Sequence, residues 1–104
     1  MELYNIVLLC QHGASTGMVA NKIAEAAKKR GIDAVVNAYP MSQIGEVIGG
    51  ADIILLGPQI RFKLGAFQKE YGDKGVPIIT VEPTDYGMLN GENILNSVLK
   101  HLGK

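Results

Sequence analysis

Cysteine occurs once in this chain, histidine twice and tryptophan never. A lone cysteine excludes an internal disulfide and fits a reducing compartment. Cys10, His12 and His101 stand at no ligand spacing, so neither a metal centre nor another cofactor is expected. Ten basic residues cancel ten acidic ones, which removes the electrostatic footprint of a nucleic-acid binder or of a protein held on a membrane by charge. No apolar run approaches the roughly 18 residues of a spanning helix, so direct membrane insertion is not expected. Met1-Glu2-Leu3-Tyr4 carries neither a basic region nor a signal-like segment, and the expected location is cytoplasmic. Repeats, linkers and low-complexity stretches are also missing, and the 104 residues read as a single domain, 1–104. Apolar side chains are plentiful: 47% hydrophobic against 19% charged decides for a globular chain over a disordered one.

Strand and helix patterns alternate four times. Leu3 to Leu9 is an almost continuous apolar run, the signature of a parallel strand buried on both faces. Gly17 to Arg30 places Val19, Ile23 and Ala26/Ala27 on one helical stripe. That helix ends in Lys28-Lys29-Arg30 before Gly31, cations matched to the C-terminal dipole. Ile32 to Ala38 is a second strand, with Pro40 marking the turn after it. A short helix is expected over Ser42 to Gly49, with Ser42 as its N-cap. Asp52 to Leu56 is a third strand, and Ile60 to Tyr71 a helix with Phe62, Ala66 and Phe67 near helical spacing. Val76 to Val81 is a fourth strand, in which Pro77 suits an edge position. Glu82 to Gly91 reads as a long loop, and Glu92 to Leu102 as a last amphipathic helix, from which His101 serves no site.

This alternation predicts an α/β fold: a doubly wound, four-stranded parallel sheet in the order 2-1-3-4, flanked by helices on both faces and linked by right-handed crossovers. The ligand crevice of such a sheet opens beyond the carboxyl ends of its strands, where the strand order reverses. Three segments meet there: Cys10 to Thr16, Gly57-Pro58-Gln59, and the loop after the fourth strand with Asp85 and Tyr86.

Cys10 sits where the first strand ends and a glycine- and hydroxyl-rich loop begins, Gln11-His12-Gly13-Ala14-Ser15-Thr16-Gly17. Backbone N–H groups of a curved loop and of the following helix N-terminus both favour an anion, either a thiolate nucleophile or a phosphoryl group beside it. The Ser15 and Thr16 hydroxyls can cap the helix and donate to phosphate with one geometry. Taken alone, a cysteine at a strand end is as often a small buried hydrophobe. Its place at the switch point, followed by this loop, favours chemistry. Cysteine-dependent tyrosine phosphatases use C-x5-R, whose arginine grips the phosphate; six places after Cys10 stands Thr16. Without that clamp, water attack on a phosphocysteine is slow, which suits a carrier better than a hydrolase. Asp85 reads as a solvated loop carboxylate before it reads as a general acid, and His12 as a loop residue before a catalyst. Gly57-Pro58-Gln59 is either a turn that stops the third strand or a wall of the site and a docking rim, and Tyr86 either packs over the site or anchors its loop.

Three segments carry a family resemblance: Ile6-Val7-Leu8-Leu9-Cys10-Gln11-His12-Gly13-Ala14-Ser15-Thr16, Ala51-Asp52-Ile53-Ile54-Leu55-Leu56-Gly57-Pro58-Gln59-Ile60, and Tyr86-Gly87 with Asn90-Gly91. With them the whole chain resembles the enzyme IIB components of the bacterial phosphoenolpyruvate-dependent sugar phosphotransferase system, in the lactose/cellobiose/chitobiose class. The resemblance implies an architecture similar to the low-molecular-weight tyrosine phosphatases. It implies a phosphocysteine intermediate on Cys10, charged from a phosphohistidine of the IIA component and discharged to a sugar held in the membrane-embedded IIC component. The implied activity is that of a protein-phosphocysteine–sugar phosphotransferase working beside the membrane transporter, on a β-linked disaccharide such as cellobiose, chitobiose or lactose. Members of this class often carry another hydroxyl residue after the matched threonine; here Gly17 stands there, which shifts phosphate binding toward backbone N–H groups. Two other readings of the loop stay open: a small cysteine-dependent phosphatase, and a flavodoxin-like module that binds a phosphate or nucleotide with Cys10 incidental.

Overall fold

The computed structural model describes residues 3–11 and 16–103, apart from the side chain of Thr16. Four strands form one parallel sheet in the order β2-β1-β3-β4. They are β1 (Tyr4–Cys10), β2 (Ala34–Pro40), β3 (Ile53–Leu56) and β4 (Ile78–Thr80). This is the predicted sheet. β1 pairs along its length with β2, from Tyr4↔Ala34 to Cys10↔Pro40, and on its other side with β3, from Ile6↔Ile53 to Leu9↔Leu56.

The strand side chains alternate between two cores, which is why both central strands read as unbroken apolar runs. Ile6 and Leu8 of β1 with Ile53 and Leu55 of β3 face one core, against α1 (Thr16–Lys29) and the helix Gly91–His101. Val7, Leu9, Ile54 and Leu56 face the other, with Ile44, Ile48, Ile60 and Phe67 from the helical segments between β2 and β4. Among the described residues no helix is long and apolar enough to cross a membrane.

Helix α1 stops as its sequence dictates. Gly31 takes φ +70°, its N–H bonds to Lys28 O at 3.1 Å, and Ile32 N–H bonds to Ala27 O at 2.9 Å. That pair of bonds is a Schellman close. It draws Ile32 into the cap, so β2 starts at Ala34, two residues later than the periodicity predicts, and runs on to Pro40. A proline is tolerated there because β2 is an edge strand.

The segment after β2 is helical but broken. A 3₁₀ turn (Met41–Gln43), the single α-turn α2 (Ile44–Val47) and a second 3₁₀ turn (Ile48–Gly50) replace the expected helix. Pro40 precedes the first turn, no side chain caps it, and Ser42 lies inside it. After β3, a six-residue 3₁₀ stretch (Pro58–Lys63) precedes α3 (Leu64–Tyr71). Phe62 therefore falls in the 3₁₀ segment, not on the apolar stripe of an α-helix, and is 73% exposed.

The expected long loop after β4 is the largest departure from the sequence reading. It contains a short helix, α4 (Pro83–Gly87), with Pro83 at its start where a missing N–H costs nothing. Leu89 leaves α4 at φ 54°, a left-handed conformation unusual for a leucine. Asn90 then caps α5 (Gly91–His101), its side chain accepting from Asn93 N–H at 3.1 Å.

Candidate active site

Cys10 is the last residue of the central strand β1 and is only 6% exposed. The apolar register of β1 puts it there: Leu8 and Leu9 are fully buried on opposite faces, so the strand end cannot shift without moving both cores. Gln11 follows in an exposed bend. His12, Gly13, Ala14 and Ser15, four of the seven predicted loop residues, lie outside the described residues. Thr16 opens α1, and Gly17 in its first turn is half-buried. No acidic side chain stands in that turn, so the positive N-terminal end of the helix dipole is not neutralised by a carboxylate of its own.

The segment after β3 reaches this strand end. Gly57 N–H donates to Leu9 O at 2.9 Å, one bond beyond the register of the β1–β3 ladder. Gly57 is buried, Pro58 half-buried at the start of the 3₁₀ stretch, and Gln59 exposed. The side chain of Gln59 turns back toward Gly57: a Cβ there would lie 3.3 Å from Gln59 Oε1. The same Cβ would lie 3.6 Å from Cε2 of Tyr86. Tyr86, on α4 and 8% exposed, belongs to the α1/α5 core and reaches Gly57 from that side. The structure thus brings together Leu9-Cys10, Gly57 and Tyr86, drawn from three of the predicted segments.

Asp85 is held otherwise. Its Oδ1 accepts from Asn93 Nδ2 at 3.2 Å, and its carbonyl accepts from Asn90 N–H at 2.8 Å. Both bonds tie α4 to the start of α5. Sequence reasoning also passed over three exposed apolar side chains near the carboxyl ends of the strands. Met18 lies in the first turn of α1 and is 59% exposed; Phe62, in the turn leaving β3, and Met88, just after α4, are 73% and 74% exposed. The available signal was Arg61-Phe62-Lys63, an aromatic residue between two cations.

A family model for the PTS system lactose/cellobiose specific IIB subunit matches residues 5–97. The chain belongs to this family. It is 34% identical over 95 residues to the galactose-specific EIIB component of Lactococcus lactis, across 86% of this chain and 88% of that one. The solution structure of the cellobiose-specific IIB component from Borrelia burgdorferi superposes with a TM-score of 0.80 at 33% identity, over 98% of this chain and 94% of that one. A mutant of YwlE from Bacillus subtilis, a low-molecular-weight tyrosine phosphatase, superposes with a TM-score of 0.61 at 13% identity, over 97% and 99% of the two chains. At that identity the likeness is of fold alone, and it bears out the expected phosphatase-like architecture. IIB components of the phosphotransferase system act as phosphotransferases toward sugars and work with IIA and IIC components.

Proposed function

We propose that this IIB chain carries its phosphoryl group on Cys10. The observation that supports this most directly is the position of the thiol. Cys10 ends the central strand at the switch point of the sheet, ahead of a helix whose first turn holds no acid, with Gly57 packed beside it. In the charging step, the Cys10 thiolate attacks the phosphorus of a phosphohistidine on the IIA component. The S–P bond forms as the P–N bond breaks, and the released imidazole takes up a proton. In the discharging step, a hydroxyl oxygen of the sugar held by IIC attacks the same phosphorus. The O–P bond forms, the S–P bond breaks, the hydroxyl proton leaves to a base, and the thiolate is regenerated. Amides of the Gln11–Gly17 segment, with the Ser15 and Thr16 hydroxyls, hold the equatorial oxygens in a loose transition state.

A carrier must keep water from its phosphocysteine. Thr16 at the place of the phosphatase arginine supports that role, and the bond from Asn93 to Asp85 counts against Asp85 as a general acid for hydrolysis. Turnover of an aryl phosphate by the isolated protein would revive the phosphatase reading. The site of action is the cytoplasmic face of the IIC transporter. The sugar is a β-linked disaccharide, with its selection left mainly to IIC: the Lactococcus and Borrelia relatives differ in stated sugar at nearly equal identity to this chain.

Both partners must reach Cys10, and Met18, Phe62 and Met88 offer apolar anchors around that end of the sheet. Phe62→Ala is expected to raise the KM for phosphorylated IIA about fivefold with kcat nearly unchanged, as loss of a single anchor does. An unchanged KM would remove Phe62 from the docking surface. The carrier reading itself is tested by intact mass. The protein is incubated with phosphoenolpyruvate, the general phosphotransferase proteins and IIA; a gain of one phosphoryl group, absent from Cys10→Ser, is the expected result. No gain with a demonstrably active IIA would overturn it.

A further inference from the structure

We infer that Tyr86 is a positioning residue for the Cys10 thiol, acting through Gly57; the inference rests on the phosphocarrier reading above. The Leu9 carbonyl that accepts from Gly57 N–H belongs to the same planar peptide unit as the Cys10 nitrogen. Whatever fixes Gly57 therefore fixes the plane from which the Cys10 side chain projects. Gly57 itself has φ −60° and ψ 155°, an extended conformation open to any residue, so backbone freedom does not account for a glycine here. Crowding does. A Cβ would sit 3.4 Å from Leu9 O on one side and 3.6 Å from the Tyr86 ring on the other. The ring thus packs against Gly57 at close to van der Waals range, on the flank away from its own core neighbours.

The ring's support is itself well held. Tyr86 N–H bonds to Glu82 O at 3.0 Å and its carbonyl accepts from Leu89 N–H at 3.2 Å. Asp85, next in the chain, is tied to Asn93 and Asn90 of the α5 entry. The left-handed Leu89 lets the chain turn sharply from α4 into α5. A five-residue helix is thereby made rigid enough to act as an abutment. Transfer to a thiol demands in-line approach, and a misplacement of about 1 Å at a reacting atom costs about a hundredfold in rate.

The test compares Tyr86→Ala, Tyr86→Leu, Tyr86→Phe and Val98→Ala, the last opening a cavity in the same core away from Gly57. Two rates are read on folded protein: phosphoryl transfer from IIA, split into kcat and KM, and alkylation of Cys10 by iodoacetamide, which needs no partner. Tyr86→Ala and Tyr86→Leu are expected to lower kcat by about tenfold or more, with the KM for IIA unchanged. They are expected to speed alkylation by at least about threefold, as the strand end loosens around a buried thiol. Tyr86→Phe keeps the ring and stays within about twofold of the wild type on both rates. Should Tyr86→Ala not fold, Tyr86→Leu keeps apolar bulk without the ring and decides the question alone. The inference is overturned if neither rate moves in the ring-less variants, or if Val98→Ala reproduces both changes. If the wild type accepts no phosphoryl group, the carrier reading falls while alkylation still decides whether Tyr86 positions the thiol.

Discussion

Cys10→Ser is expected to lower phosphoryl transfer from IIA by about a thousandfold or more while the fold survives. A cysteine is a strong nucleophile with a usable thiolate fraction near neutral pH, whereas a serine hydroxyl needs a neighbouring base to be comparably reactive. Asp85, the carboxylate the sequence offered for such a role, is engaged with Asn93. Serine is nearly isosteric with cysteine, so the two cores around β1 need not repack. The cost is that of placing a more polar atom at a site 6% exposed, about 1 kcal/mol. Transfer kinetics beside a thermal melt separate the two effects: the rate should collapse and the melting temperature shift by only a few degrees. A folded serine variant that transfers at the wild-type rate would sink the phosphocysteine mechanism.

The largest effect on stability is expected from Gly91→Ala. Glycine to alanine in a helix ordinarily gains about 1 kcal/mol. Here the sign reverses. Gly91 opens α5 against the backbone of α1, and a Cβ would overlap the Lys22 carbonyl group and lie 2.9 Å from Ile23 N. These are main-chain atoms inside a helix, so no rotamer change makes room. The helices must separate, which unseats Ile23, Ala26 and Ala27 from Ile94, Leu95 and Val98, all buried in one core. Overpacking against a rigid neighbour costs about 3 kcal/mol, a large share of the roughly 5–15 kcal/mol that holds a domain together. The melting temperature should fall by about 12 °C or more for a chain of this length. A loss below about 1 kcal/mol in chemical denaturation would show that α1 and α5 can slide past one another.

The parts of this fold legible in the sequence are those whose burial is two-sided. β1 and β3 pack on a core at each face, so their apolar runs are continuous and could only be central parallel strands. Cys10 was legible for a related reason: it closes such a run and precedes a helix. Phe62 was misread because 3₁₀ geometry has three residues per turn, and a stretch of it puts the helical stripe out of phase. α4 went unseen because five residues cannot display a period, and because its proline and glycine are the same residues that mark turns. Ile32 was drawn into β2 by its character, whereas its backbone closes α1. The contact of Tyr86 with Gly57, and the crowding at Gly91, arise between segments distant in the chain and leave no local pattern to read.

The hydrogen bonding of β1 on both edges has a consequence for how the protein fails. Amides of a doubly paired central strand become accessible to solvent only when the molecule opens as a whole. The thiol is attached to the last residue of that strand, not to a separately melting flap. Its attachment point therefore persists until global unfolding, and heating should switch the carrier off in one cooperative event shared by catalysis and fold.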